Sequence, residues 1–206
     1  MEFSMHRQLR LFLLLFLSFL GLSGCTTTPP APLTQWEAHQ AALSEIQHFT
    51  VKGKVAFISP EQRVSANFVW QQEGDTLSLR LSNFLGATLL KLDATPTHAE
   101  LVDNDGKRYI GKNADKLLKS LTGIALPVDD MMFWIKGLPA TGNDYQLGAD
   151  NRLASLSENN IESNKPGWQL DYVSYDANTA SLLPSKIKMI KNDQKVNLVI
   201  SQWIYE

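Results

Sequence analysis

Beyond Thr50 most of this chain alternates between apolar and polar residues. Val51, Gly53, Val55 and Phe57 alternate with Lys52 and Lys54. The pattern is densest from Arg63 to Asp93. There Val64, Ala66, Phe68 and Trp70 alternate with Ser65, Asn67 and Gln71, with Val69 the exception, and Leu77, Leu79 and Leu81 alternate with Ser78, Arg80 and Ser82. A period of two places each set on one face of a sheet, so every such strand has an oily and a wet side. Further strands are predicted at Thr88 to Leu92, Ala99 to Asp103, Arg108 to Gly111, Arg152 to Ser157, Trp168 to Val173, Lys186 to Ile190 and Val196 to Trp203. Asn104-Asp105-Gly106 and Asn192-Asp193 are hairpin turn signals. About ten antiparallel strands with short connections predict a strongly curved sheet or barrel.

Three stretches break the alternation. Leu33 to Phe49 reads as a helix, with Thr34 and Glu37 spaced as a capping box and Trp36, Ala41, Leu43 and Ile46 as a loose stripe. It is expected to pack on the outside or mouth of the sheet. Residues 114–122 carry Leu117, Leu118 and Leu121 and end at Gly123, a good C-cap. Val128 to Lys136 carries Met131, Met132, Trp134 and Ile135. These two short helices fall between two sets of strands, and a sheet does not close neatly around such an insertion. They are expected to enter or cap the barrel as a lid, with the adaptable Met131 and Met132 suited to variable shapes or to ordinary core packing.

One hinge does not suit a short turn. Asn83 and Gly86 are turn residues, but Phe84 and Leu85 between them are not. The tip of a short hairpin has no core beneath it. An outward Phe-Leu pair there points to contact with something greasy; the alternative is a longer loop folded over the barrel mouth.

The N-terminus has its own logic. His6, Arg7 and Arg10 precede an apolar run, Leu11 to Leu20, too short to span a bilayer comfortably, which ends in Leu22-Ser23-Gly24-Cys25. This resembles the lipobox of bacterial lipoproteins, which implies cleavage before Cys25 and acylation of its sulfur and new amino group. Cys25 is the single cysteine, so no internal disulfide is available, and lipidation would remove the liability of a free thiol. Several acyl chains, each methylene contributing ~0.8 kcal/mol, anchor a protein stably. Thr26 follows where inner-membrane sorting would use Asp, which by the same resemblance favours the outer membrane. The expected organisation is a signal over 1–24, a lipidated Thr/Pro tether over 25–32 and one domain over 33–206.

Charge and composition then exclude more than they add. Removing residues 1–24 takes away two arginines and one glutamate, moving the formal charge from −2 to −3. No basic stripe suggests nucleic acid. There is no Gly-x-Ser-x-Gly elbow and no phosphate-binding Gly-rich loop. His39, His48 and His98 have no partner at triad or metal-ligand spacing. We therefore expect no catalytic residues, metal or cofactor, and any transport must run downhill without nucleotide.

Trp70, Trp134, Trp168 and Trp203 fall on or near predicted inward faces, with Tyr172 and many aliphatic residues. Such residues line ligand pockets and fill ordinary cores alike. A family resemblance bears on that choice. Phe68-Val69-Trp70-Gln71-Gln72, Ser82 to Gly86, Trp134 to Pro139 and Asn197 to Ile204, in this order behind a lipobox, resemble the LolB family of outer-membrane lipoprotein receptors in the Lol sorting pathway.

The resemblance implies a mainly β fold: an unclosed antiparallel barrel of about ten or eleven strands, with helices capping a hydrophobic cavity. It implies receipt of acylated lipoproteins from a soluble periplasmic carrier of LolA-like fold and their insertion into the outer membrane by a monomer anchored at Cys25 on the periplasmic face. The cavity lining expected is Phe57, Phe68, Trp70, Leu79, Leu81, Leu90, Met132, Trp134, Trp168, Leu170, Ile187 and Met189. Leu85 is implied to drive membrane insertion. The family often has Pro before that Leu; here Phe84 removes the ring's stiffness and is placed to share the role. Alternative readings are a lipid-binding lipoprotein without a transfer partner, a structural envelope lipoprotein with a filled core, and an unknown hydrolase.

Overall fold

A computed structural model describes residues 35–124, 126–159 and 166–205. The expected signal, Cys25, the tether and Thr34 lie outside the described residues. The alternating segments form one antiparallel sheet of eleven strands: β1 (His48–Ile58), β2 (Arg63–Glu73), β3 (Thr76–Ser82), β4 (Thr88–Thr95), β5 (His98–Asp103), β6 (Arg108–Gly111), β7 (Asp144–Leu147), β8 (Leu153–Ser157), β9 (Gln169–Tyr175), β10 (Pro184–Lys191) and β11 (Gln194–Tyr205). Their spatial order is β6-β5-β4-β3-β2-β1-β11-β10-β9-β8-β7. Nearly every strand pairs with its chain neighbour. The exception is β1 with β11, which joins the two halves along the sheet's centre, from Phe49↔Tyr205 to Ile58↔Lys195. β6 and β7 are the two free edges, so the barrel stays unclosed.

Among the described residues three helices accompany the sheet: α1 (Gln35–Glu45), α2 (Ala114–Thr122) and α3 (Val128–Trp134). The helix expected over Leu33 to Phe49 is shorter. His48 and Phe49 belong to β1, because Phe49 alternates in step with Val51 and pairs across to Gln72 and Tyr205. β7 escaped prediction because all four of its residues are exposed and no buried period marks it. α2 begins and ends as its sequence suggests. The Asn113 side chain accepts the Lys116 N–H at 2.9 Å, and Gly123 closes the helix at φ 73°. Gly53 is required for a different reason. A side chain there would collide with the Val199 carbonyl and the Phe68 ring, at the point where the β1–β11 register shifts.

The concave side is packed unevenly. Between β8 and β11, Trp168, Leu170, Ile187 and Met189 are almost fully buried and belong, with Trp134, Leu153 and Leu156, to the one hydrophobic core that also holds Phe68 and Trp70. Each such side chain stabilises the fold by roughly 1.5–3 kcal/mol. The segment after α3 is tied to this half. The Trp134 indole N–H donates to Asn143 Oδ1 at 2.8 Å, and the Tyr172 hydroxyl donates to the Trp134 carbonyl at 2.9 Å. Between β1 and β4 the sheet is covered by α2, α3 and their connection, and there the packing is incomplete.

Candidate functional site: a lidded apolar cavity beside an exposed turn

That incomplete packing is an apolar cavity of about 90 Å³. Its sheet wall includes Phe57, Phe68, Trp70, Leu79, Leu81 and Leu90, six of the residues the sequence suggested. Trp134, Trp168, Leu170, Ile187 and Met189 do not line it. They are buried in the same hydrophobic core as Phe68 and Trp70, away from the cavity. Met132 is also elsewhere, on the side of α3 turned away from the cavity. The lid residues that do face inward are Val128, Met131 and Ile135, with Leu118 and Thr122 from α2 and Ile124 and Leu126 between the helices. The signal for the α3 trio was present: positions i, i+3 and i+7 share a helix face, and position 132 does not.

Among the described lining residues, Thr122 has its hydroxyl satisfied internally, donating to the Leu118 carbonyl at 2.7 Å. Trp70 presents its ring to the cavity while its N–H donates to Gln72 Oε1 at 3.0 Å, and Gln72 donates in turn to the Gly74 carbonyl at 2.7 Å. The cavity wall therefore offers dispersion and hydrophobic contact without hydrogen-bonding demands on an occupant.

Two ionisable groups hold the lid's frame. Asp115, in the first turn of α2, accepts the Val128 N–H at 2.8 Å and so caps α3, whose own N-cap, Pro127, makes no side-chain hydrogen bond. Burial pushes the Asp115 carboxyl up to about 6, helped by the nearby charges of Asp129, Asp130 and Glu158 and opposed by the Val128 bond. Lys136 is buried and donates to the Ile46 carbonyl at 2.8 Å, tying the end of α3 to the α1–β1 junction. Burial lowers its ammonium pKa.

The cavity wall runs to the base of the Asn83–Ala87 turn. Leu81 and Leu90, both lining residues, are paired just before β3 and β4 separate. The turn is built by Asn83. Its Oδ1 accepts the N–H groups of both Leu85 and Ala87 at 3.0 Å, and its carbonyl accepts Gly86 N–H at 3.0 Å and the Asn67 amide at 3.1 Å. Gly86, at φ 88°, completes it. Phe84 is 88% exposed and Leu85 78% exposed, two large apolar side chains held in water by a hydrogen-bonded backbone. The loop does not fold back over the mouth.

An open antiparallel barrel with two helices over an apolar pocket, and an exposed apolar turn at the pocket's edge, is a LolA-like fold. A LolA superfamily protein from Nitrosomonas europaea superposes with a TM-score of 0.56 at 10% identity, covering 84% of this chain and 94% of that one. A DUF1329 family protein from Desulfovibrio piger superposes with the same TM-score at 6% identity, covering 82% and 90%. Both likenesses concern the fold.

Sequence comparison is more particular. The family described as outer membrane lipoprotein LolB matches residues 47–203. The outer-membrane lipoprotein LolB of Vibrio cholerae serotype O1 is 40% identical over 191 residues, 90% of this chain and 92% of its own. That of Serratia proteamaculans is 35% identical over 204 residues, 96% of this chain and 97% of its own. The chain belongs to the LolB family of outer-membrane lipoproteins.

Proposed function

We propose that this protein is an outer-membrane receptor, anchored through Cys25, that takes acylated lipoproteins from a LolA-like periplasmic carrier and passes them to the bilayer. The observation that supports it best is an apolar cavity whose lining residues Leu81 and Leu90 stand at the base of an exposed Phe84–Leu85 turn. A triacylated cargo cannot cross water unshielded, since each exposed methylene costs ~0.8 kcal/mol. It must move from one cavity to another and then into lipid, downhill and without nucleotide. The cavity of about 90 Å³ is smaller than the ~150 Å³ that accommodates benzene. Cargo entry therefore requires the cavity to widen, and the elements placed to give way are α2, α3 and their connection.

A two-step assay tests this. Purified carrier loaded with a labelled lipoprotein is mixed with the protein, and then with liposomes. Transfer in both steps is expected from the parent protein. Trp70→Asp, which puts an unpaired charge on the cavity wall, is expected to weaken the first step, while Ser65→Asp on the opposite face of β2 leaves it intact. Equal loss in both variants would sink the cavity assignment. Labelled palmitate is expected to enter the parent protein and not Cys25→Ala.

A further inference from the structure

Helix α3 has two distinct faces. Val128, Met131 and Ile135 look into the cavity. Asp129, Asp130, Met132 and Phe133 look into an outer groove of about 270 Å³, and Val128, between the two faces, borders both. Leu77, Ala94 and Met132 lie along its floor, and Asp75, Asp129 and Asp130 stand at its rim. Phe133 is 39% exposed on it. Among the described residues that line it there is no lysine or arginine. Through Gln72, Asp75, Met132 and Phe133 the groove continues into a second crevice of about 210 Å³, bordered by Ile46, Phe49 and Lys136, whose ammonium is taken up by the Ile46 carbonyl.

Its chemistry selects an occupant. An apolar floor with an exposed aromatic and an adaptable Met suits a protein segment. Three carboxylates at the rim favour lysine or arginine, whose apolar stems also cover such a floor. An anionic lipid surface would be repelled. Position agrees with this. The β2–β3 and β4–β5 turns that border the groove lie at the end of the strands opposite the Phe84–Leu85 turn, so a partner seated there leaves that turn free. The outward face of β1 and β3 has the opposite sign, with Lys52, Lys54 and Arg80 exposed.

We propose that the outer groove of α3 is where the soluble lipoprotein carrier docks, through a carrier segment that is basic and apolar. The inference rests on the receptor reading above and names the surface that reading needs. Because one short helix bears both faces, docking acts directly on the element that closes the cavity. The expected consequence is that carrier contact and lid opening are linked through α3, with no separate relay.

The test uses the full-length lipidated protein in detergent, immobilised, with loaded carrier in solution. At about 50 mM salt, Asp75→Lys with Asp129→Lys is expected to weaken carrier binding about tenfold, and the gap should narrow at about 500 mM. Phe133→Ser is expected to weaken binding at both salt concentrations. Uptake of a fluorescent fatty acid by the same variants is expected to be unchanged, which separates lost docking from lost folding. A photo-crosslinker at position 133 should capture the carrier, and one at Ser78 on the outward sheet face should not. Parent-like affinity in both variants, or capture at Ser78 alone, would overturn the docking surface and leave the receptor reading standing. No carrier binding by the parent protein would overturn the receptor reading and this inference with it.

Discussion

Asn83 and Asp103 close two neighbouring hairpins with the same set of bonds. At the β3–β4 turn, Asn83 Oδ1 accepts the N–H groups of Leu85 and Ala87, and the Asn83 carbonyl accepts Gly86 N–H. At the β5–β6 turn, Asp103 Oδ1 accepts those of Asp105 and Lys107 at 3.0 Å, and the Asp103 carbonyl accepts Gly106 N–H at 3.1 Å. Gly86 and Gly106 sit at φ 88° and 79°. The backbone thus demands a short side-chain oxygen first and a glycine fourth. It is indifferent to the two residues between. One turn carries Asn104 and Asp105 there, as solvent exposure favours, and the other carries Phe84 and Leu85. The contrast teaches that the apolar pair is not there for folding, and so needs another reason.

The largest effect is expected from removing that pair. Leu85→Glu with Phe84→Ser should cut release to liposomes about tenfold or more, since each apolar side chain gains roughly 1.5–3 kcal/mol on entering lipid. Uptake from the carrier and the melting temperature should barely change. A melt lowered by many degrees would mean the tip is buried after all.

A transplant sharpens the comparison. With Phe84→Asn and Leu85→Asp in place, Asn104→Phe with Asp105→Leu moves the greasy tip to the other hairpin. The protein should fold, because the two backbones are equivalent. Liposome binding should return, but release should stay low, because Leu81 and Leu90 connect only the β3–β4 turn to the cavity. Full recovery of release would show that adjacency to the cavity is unimportant.

A smaller effect is expected at the clamps. Asn83→Ala should cost about 1–2 kcal/mol for its two lost backbone bonds, read by denaturant midpoint. Asp103→Ala should destabilise in the same direction. Only the Asn83 change should also slow release, by loosening the presentation of Leu85.

The smallest concerns a third side-chain cap, Asp115 on Val128. Asn83 cannot titrate, but Asp115 is buried enough to be raised to about 6. A raised carboxyl destabilises the fold when charged, above its folded pKa, and that cost fades as pH falls through it. From about pH 7.5 to 5.5 this group alone should contribute less than about 1 kcal/mol of added stability, allowing for solvent screening. Asp115→Asn should remove that increment from the pH profile of the melt. An unchanged profile would show that the carboxyl is not the titrating group.

The strands, the inward face and the odd turn were legible because period-two alternation and turn chemistry are local. Phe68, Trp70 and Leu79 could be assigned to the concave side from their neighbours in sequence alone, and Asn83 and Gly86 to a turn. The resemblance to a known family then indicated what such a sheet encloses. What local pattern cannot carry is where a concave face is filled and where it is empty. Trp168, Leu170, Ile187 and Met189 alternate like Phe68 and Trp70 and share their core, yet they do not line the cavity, because alternation fixes a face and not the space left above it. The pairing of β1 with β11, nearly the whole domain apart in sequence, likewise exists only in three dimensions. So the sequence by itself determined the faces, the turns and the greasy tip, each a matter of a few adjacent residues. The tertiary structure decided the cavity, the split of α3 into an inner and an outer face, and the closeness of the tip to the pocket, because volume and proximity depend on every element at once.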